Sequence, residues 1–196
     1  ATTATVIRLL GCCSAFVHRD CMQGYLDSQT SASVTCPLCQ HIYGVRTGSQ
    51  PLDGRMVVKR FKQGVEGHET EGTIEICYSF KDGLQGPEHA HPGVPYTGTR
   101  RKAYLPDNAQ GNLVLQALAT AFERRLIFTI GQSVTSGREN QVTWNGIHHK
   151  TKTSGGTARY GWPDATYFDR VTEELKAKGI YVGSQDILDK ENTSAE

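Results

Sequence analysis

Five of the six cysteines in this chain of 196 residues fall between positions 12 and 39, so that segment is the first place to look for chemistry. Cys36-Pro-Leu-Cys39 is a knuckle that offers two sulfurs from a single turn. Zinc asks for that arrangement, because it takes four soft or borderline ligands in a tetrahedron. Cys12-Cys13 and His18-Arg-Asp-Cys21 stand upstream and could supply the rest. The plain alternative is a reduced, buried cysteine cluster with no metal. A secreted disulfide domain would spread its cysteines through the fold, whereas here only Cys77 lies outside the segment. The usage points to the inside of the cell.

Three later segments concentrate reactive residue types. Thr129-Ile-Gly-Gln-Ser-Val-Thr-Ser-Gly137 is rich in glycine and hydroxyls, and its N–H and O–H groups suit a phosphate or a ribose. It lacks the glycine spacing of the common nucleotide fingerprints, and a simple hairpin connection explains it equally well. Trp144-Asn-Gly-Ile-His148-His149-Lys150-Thr151 sets two histidines and a lysine near an indole. Side chains adjacent in sequence point to different sides, so at most one of the two histidines faces a pocket. Arg159-Tyr160-Gly-Trp162-Pro-Asp164 precedes a helix that carries Glu173 and Glu174. Glu174 falls at the edge of that helix's buried stripe, where a carboxylate can reach a cleft as a base. Glu173 reads as an ordinary solvated helix residue.

Those segments need elements to hold them. The polar stretch Thr47-Gly-Ser-Gln-Pro-Leu-Asp-Gly54 is a turn-rich connector and the expected domain boundary. Met56–Phe61 reads as a strand. Thr73–Phe80 alternates, with Ile74, Ile76, Tyr78 and Phe80 on one face and Glu75, Cys77 and Ser79 on the other. Leu84–Tyr104, rich in Gly, Pro and His, is expected to be an irregular loop. A helix beginning at Asn108 or Gln110 carries the stripe Leu115, Leu118, Ala121, Phe122 and ends at Arg124-Arg125. Leu126–Ile130 and Gln141–Trp144 are expected strands. The last helix buries Tyr167, Phe168, Val171 and Leu175, with Asp164 as its expected cap and Gly179 as its stop.

Composition narrows the class. A net charge of +1 gives no general attraction to nucleic acid or an anionic membrane, and 37% hydrophobic residues are enough for a core. No apolar run approaches the ~20 residues needed to cross a bilayer, and no signal-peptide pattern opens the chain, so no membrane partner is expected. The expected fold class is α+β: a small zinc-binding module over residues 1–46, then a mixed α+β domain over 47–196.

The cysteine segment resembles the second half of a RING-type module, in which Cys/His pairs cross-brace zinc ions. On that resemblance Cys36 and Cys39 are the fourth ligand pair and His18 and Cys21 the third. Cys13 opens the second pair, and Ala15 stands where its partner belongs, with Cys12 the substitute in a shifted register. The first pair would lie upstream of Ala1. The zinc ligands implied are therefore Cys13, His18, Cys21, Cys36 and Cys39. Leu38 and Pro37 form an apolar surface for a partner.

A longer resemblance spans Cys12 to Ile180. Tyr43-Gly…Gly48-Ser-Gln-Pro51…Gly54-Arg-Met56, Gly86-Pro-Glu-His89, Tyr104-Leu-Pro-Asp107, Leu126-Ile-Phe-Thr-Ile-Gly131 and Trp144-Asn…Ile147-His-His-Lys-Thr151 together resemble the deltex family of ubiquitin ligases. The ending Tyr160-Gly-Trp-Pro-Asp…Glu-Glu174-Leu-Lys-Ala-Lys-Gly179 is similar to the deltex-3 and deltex-3-like branch. The resemblance implies a RING that binds a ubiquitin-charged E2 and a deltex carboxy-terminal domain that holds ADP-ribose or NAD. Ubiquitin then passes to a protein lysine or to a hydroxyl of bound ADP-ribose. It further implies ADP-ribosylated proteins as partners, work in the cytoplasm and nucleus, and a link to Notch signalling.

Carried over residue by residue, Glu174 and His148 are the catalytic pair. Ser133, Thr135, Ser136, Gly137, His148 and Tyr160 contact the ligand. Tyr160 stands where many members have a histidine, and Val134 where others carry a polar side chain. The alternatives are a non-catalytic ADP-ribose reader with a degenerate RING, and a nucleotide hydrolase or transferase that uses His148 and Glu174 without a RING.

Overall fold

The computed structural model describes residues 5–9, 11–29, 33–133 and 137–183. Thr135 and Ser136, singled out above, lie outside the described residues. The chain divides into two compact units, Ala1–Thr47 and Gly48–Glu196.

In the first unit, β1 (Val6–Arg8) pairs antiparallel with β2 (Phe16–His18), and α1 (Arg19–Asp27) follows directly. Then β3 (Val34–Thr35) pairs antiparallel with β4 (Ile42–Tyr43), and the Cys36–Cys39 knuckle is the turn between them. The Cys36 N–H donates to the His41 carbonyl at 2.7 Å and the Gln40 N–H to the Cys36 carbonyl at 3.0 Å. Gln40 closes this turn with a φ of 63°, the left-handed region that most side chains avoid. The buried core is small, with Leu9, Met22 and Cys36 backed by Ile7, Val17, Tyr25 and Tyr43. The Tyr25 hydroxyl donates to the Thr35 carbonyl at 2.6 Å and fastens α1 to β3.

The second unit is built on a three-stranded antiparallel sheet of β5 (Arg55–Phe61), β6 (Gly72–Ser79) and β9 (Arg100–Asp107), with β6 in the centre. The expected alternation along β6 is present: Ile74, Ile76 and Tyr78 are buried in the core with Ala103 and Leu105 of β9. The expected loop over Leu84–Tyr104 is different. It contains β7 (Gly83–Leu84) paired with β8 (Pro95–Tyr96), and then the first half of β9. The consecutive cations Arg100-Arg101-Lys102 disguise β9. Arg100 and Lys102 fall on the outer face, and the backbone pairs with β6 along its whole length.

On the core side lies α2 (Ala109–Glu123), followed by the hairpin of β10 (Phe128–Gly131) and β11 (Gln141–Trp144) and by α3 (Tyr167–Lys176). Asn108 caps α2 by accepting from the Gly111 N–H at 2.8 Å. Tyr167, Phe168, Val171 and Leu175 are the buried face of α3, as their spacing predicts. The Ile180 N–H returns to the Leu175 carbonyl at 3.0 Å, with Gly179 at a φ of 77° closing the helix. Asp164 is not the cap of α3; the residue before the helix is Thr166, and the Asp164 carboxylate is turned inward. No helix among the described residues is long and apolar enough to cross a membrane.

Candidate functional site

The first unit gathers four sulfurs. The Sγ atoms of Cys12, Cys13, Cys36 and Cys39 all lie within 4.8 Å of one another. A tetrahedron with zinc–sulfur bonds of about 2.3 Å has edges of about 3.8 Å. The sulfur separations match that edge: 3.8 Å from Cys12 to Cys13 and 3.9 Å from Cys13 to Cys36. Three of the expected ligands therefore meet, and Cys12 supplies the fourth sulfur in place of the ligand missing at Ala15. His18 ends β2 and Cys21 sits in the first turn of α1, both exposed and outside this sulfur group.

The surroundings favour thiolate at two of the sulfurs. The Tyr43 hydroxyl donates to Cys12 Sγ at 2.7 Å and draws that thiol below its ordinary value. The His41 backbone N–H brings Cys39 down to about 7. At Cys13 an amide hydrogen bond from Ala15 pulls downward, but desolvation and the crowding sulfurs of Cys39, Cys12 and Cys36 carry it up to about 11. Sulfurs this close repel one another as thiolates, and a divalent cation among them removes the repulsion. The donor set fits zinc.

In the second unit, a cleft of about 320 Å³ is lined by His148, His149, Lys150, Thr157, Tyr160, Tyr167 and Arg170. Both histidines reach the cleft, against the expectation of at most one, although His148 is exposed and His149 buried. His149 Nδ1 donates to the Ile147 carbonyl at 2.9 Å, so Nε2 accepts from the Tyr78 hydroxyl at 3.0 Å. Its ring stacks on Trp144 with centroids 4.3 Å apart, and Trp144 stacks in turn on Phe128 at 4.5 Å. Burial pushes His149 down to about 4, which keeps it neutral and structural.

His148 is held by Glu174. One carboxylate oxygen accepts from the His148 backbone N–H at 2.7 Å and the other meets ring Nδ1. The Tyr167 hydroxyl donates to the His148 carbonyl at 3.1 Å. Both Glu174 oxygens are engaged, so the carboxylate orients the imidazole and leaves Nε2 as the free nitrogen among the described residues. Sequence reasoning expects Glu174 as a base at the cleft; in the structure both of its oxygens engage His148.

Behind the histidine lies a buried ion cluster that spacing alone did not reveal. Lys150 Nζ donates to Asp164 Oδ2 at 2.5 Å and Arg170 to the same oxygen at 2.7 Å. Asp164 Oδ1 accepts from the Thr166 N–H and hydroxyl at 3.1 and 3.0 Å. Burial raises the Asp164 carboxyl, yet Lys150, Arg170 and Thr166 outweigh it and hold it well below the usual carboxylate range. Two cations on one carboxylate leave one excess positive charge in this cluster, matched by the Glu174 carboxylate at His148. The Lys150 ammonium also lies 5.5 Å from the Tyr167 ring centroid and 5.9 Å from that of Trp162.

Tyr160 lines the cleft with a φ of 57° and is 64% exposed. Its carbonyl accepts from the Thr151 N–H at 2.9 Å, which holds this left-handed residue in place. Gly161 follows because a Cβ there would meet the Ser154 carbonyl oxygen at 1.9 Å. Ser133 and Gly137 join each other, the Gly137 N–H donating to the Ser133 carbonyl at 2.7 Å, but neither is among the cleft-lining residues.

The fold and sites define a two-unit α+β protein with a sulfur group shaped for a metal and a polar cleft with an oriented histidine. Residues 47–180 match the Deltex C-terminal domain, and the chain belongs to the deltex family. It is 49% identical over 164 residues to the probable E3 ubiquitin-protein ligase DTX3 of Homo sapiens, covering 83% of this chain and 47% of that protein. Against E3 ubiquitin-protein ligase DTX1 of Homo sapiens the identity is 44% over 174 residues, covering 87% of this chain and 28% of the relative. Against E3 ubiquitin-protein ligase DTX4 of Mus musculus it is 43% over 171 residues, covering 86% and 28%. The chain thus spans about half the length of the DTX3 relative and less of the other two.

Proposed function

We propose that this protein acts in ubiquitin transfer, as a RING-type E3 that passes ubiquitin from a charged E2 to a protein lysine or to ADP-ribose or NAD held in the cleft. The observation that carries the reading is the two-point grip of Glu174 on His148 at a cleft that the Arg170 cation also lines. A diphosphate suits that charge, and Arg170, 40% exposed, is the cation placed to meet it. A ribose hydroxyl beside His148 would lose its proton to Nε2 as its oxygen attacks the ubiquitin thioester carbonyl. The E2 thiolate leaves and an ester forms. Glu174 holds the imidazole orientation and balances the charge it gains, and the cleft supplies proximity. Tyr160 offers a hydroxyl and an aromatic face to the ligand.

Cys12, Cys13, Cys36 and Cys39 would hold zinc, which fixes the knuckle that presents Leu38, 59% exposed, to an E2. The names of the relatives support the ubiquitin role, ubiquitin and an E2 being the partners that such a role requires. A non-catalytic reader of ADP-ribose is the second reading, favoured by the position of His18 and Cys21 outside the sulfur group.

Glu174→Ala separates the two. In a reconstituted reaction with E1, E2, ubiquitin and labelled ADP-ribose, ubiquitin transfer to ADP-ribose falls about a hundredfold or more. Calorimetric affinity for ADP-ribose stays within about threefold. Wild-type chain that binds ADP-ribose but never discharges a charged E2 supports the reader. Wild-type chain that binds neither ADP-ribose nor NAD refutes the cleft assignment.

A further inference from the structure

We propose that the free edge of β5 docks an extended acidic segment of a partner protein, which adds as a further strand to the β5–β6–β9 sheet. Among the described residues β5 pairs only with β6, and no loop backbone bonds to its other side. The strand is seven residues long and open, and it exposes Val57 by 50%, Val58 by 40% and Phe61 by 49%. Edges of this length are normally shortened, bulged, covered or guarded by charged side chains; here the guard is cationic, which repels a like strand and attracts an acidic one.

Charge identifies the occupant. Arg55 and Lys59 on the strand, Lys62 just beyond it and Arg100 across the same sheet face carry no ion pair among the described residues. The neighbouring cations are satisfied within the fold, Arg60 by Asp107 and Asn112 and Lys102 by Glu75. A second copy of β5 would bring the same cations opposite these, and like charges across a ladder destabilise it. An acidic strand has the opposite sign.

The register gives the partner's pattern. Arg55, Val57, Lys59 and Phe61 share the outer face, where they lie across β6 from Arg100, Lys102, Tyr104 and Pro106. A strand laid alongside reads acidic, apolar, acidic, apolar at every second residue on that face. A cleft of about 320 Å³ lined by Phe61, Thr73, Glu75 and Tyr104 lies over β6 on the paired side of β5. This surface is independent of the His148 cleft: neither cleft shares a lining residue with the other.

The probe is the capped peptide Ile-Thr-Glu-Val-Val-Thr-Glu, titrated by NMR into the zinc-loaded full chain at low ionic strength. Counterparts carry Lys for both Glu, or Pro for the central Val. The acidic peptide should bind about tenfold tighter than its Lys counterpart, shift amides of residues 55–61, and lose binding on Pro substitution. Arg55→Glu, an exposed change opposite Ser79, should narrow the preference between the two charged peptides while leaving thermal unfolding unchanged. Any of four results overturns the proposal. These are no binding by about 1 mM, equal binding of the charged peptides, self-association through β5 in their place, or a single-stranded oligonucleotide that displaces the peptide from the same amides.

Discussion

Asp164 shows how one side chain can serve the site without touching a ligand. Its carboxylate, 3% exposed, neutralises the 4% exposed Lys150 and steers Arg170 toward the cleft. Removing one partner of a buried pair strands the other charge, which is far worse than never having had the pair. Asp164→Ala should therefore destabilise the second unit by about 3 kcal/mol in denaturant unfolding and weaken any anionic ligand through a misplaced Arg170. His149 sets a pH limit. Burial lowers its folded value to about 4 from 6.5, so between those values the unfolded chain binds a proton that the folded chain refuses. Stability from this residue is intact above pH 6.5 and is lost as pH falls toward about 4, with a total near 3 kcal/mol. Melting curves across that range check it: the loss should shrink in His149→Gln.

At the scale of elements, the shared motifs are fastenings more than chemistry. Gln50 donates to the Phe122 carbonyl at 3.2 Å and accepts from the Phe128 N–H at 3.2 Å, joining the end of α2 to β10. Gly48 precedes it because a Cβ would meet the Arg125 carbonyl oxygen at 2.1 Å. His89 accepts from the Gly86 N–H and donates to the Ser49 carbonyl, both at 2.7 Å, and so pins the long β7–β8 connection. Asn108 caps α2 and donates to Glu71 at 2.8 Å. Asn108→Ala leaves an N–H unsatisfied and should lower stability by about 1 kcal/mol, read as a fall in melting temperature. These elements were largely legible because their periods were clean. The strand β9 was not, because Arg100, Arg101 and Lys102 look like a loop until β6 pairs with them.

For the molecule as a whole, the two units differ in what holds them. The second has an extended apolar core from Val65 to Ile180. Among the described residues the first has three buried core residues, too few to hold a short segment without a staple. Removing zinc with EDTA should abolish hydrogen-exchange protection across residues 5–47 and spare residues 48–183. Cys36→Ser should do the same with chelator absent, while wild-type chain carries one zinc by mass spectrometry. Protection in residues 5–47 that survives complete demetallation would show that the thiolates stabilise the unit without metal.

The sequence by itself determined the family, the α+β class and the Cys36–Cys39 knuckle, and it put His148 and Glu174 forward as candidate site residues. Motif order, hydrophobic period and ligand spacing are local properties, and they survive without coordinates. Tertiary structure alone decided that Cys12 completes the sulfur group while His18 and Cys21 stay outside it. It alone turned Asp164 from an expected helix cap into the buried anchor of Lys150 and Arg170. It alone made Glu174 the orienting partner of His148. Each of these depends on where a side chain points after distant segments pack. Charge neutralisation in a low-dielectric interior is settled by those neighbours, which spacing along the chain does not record.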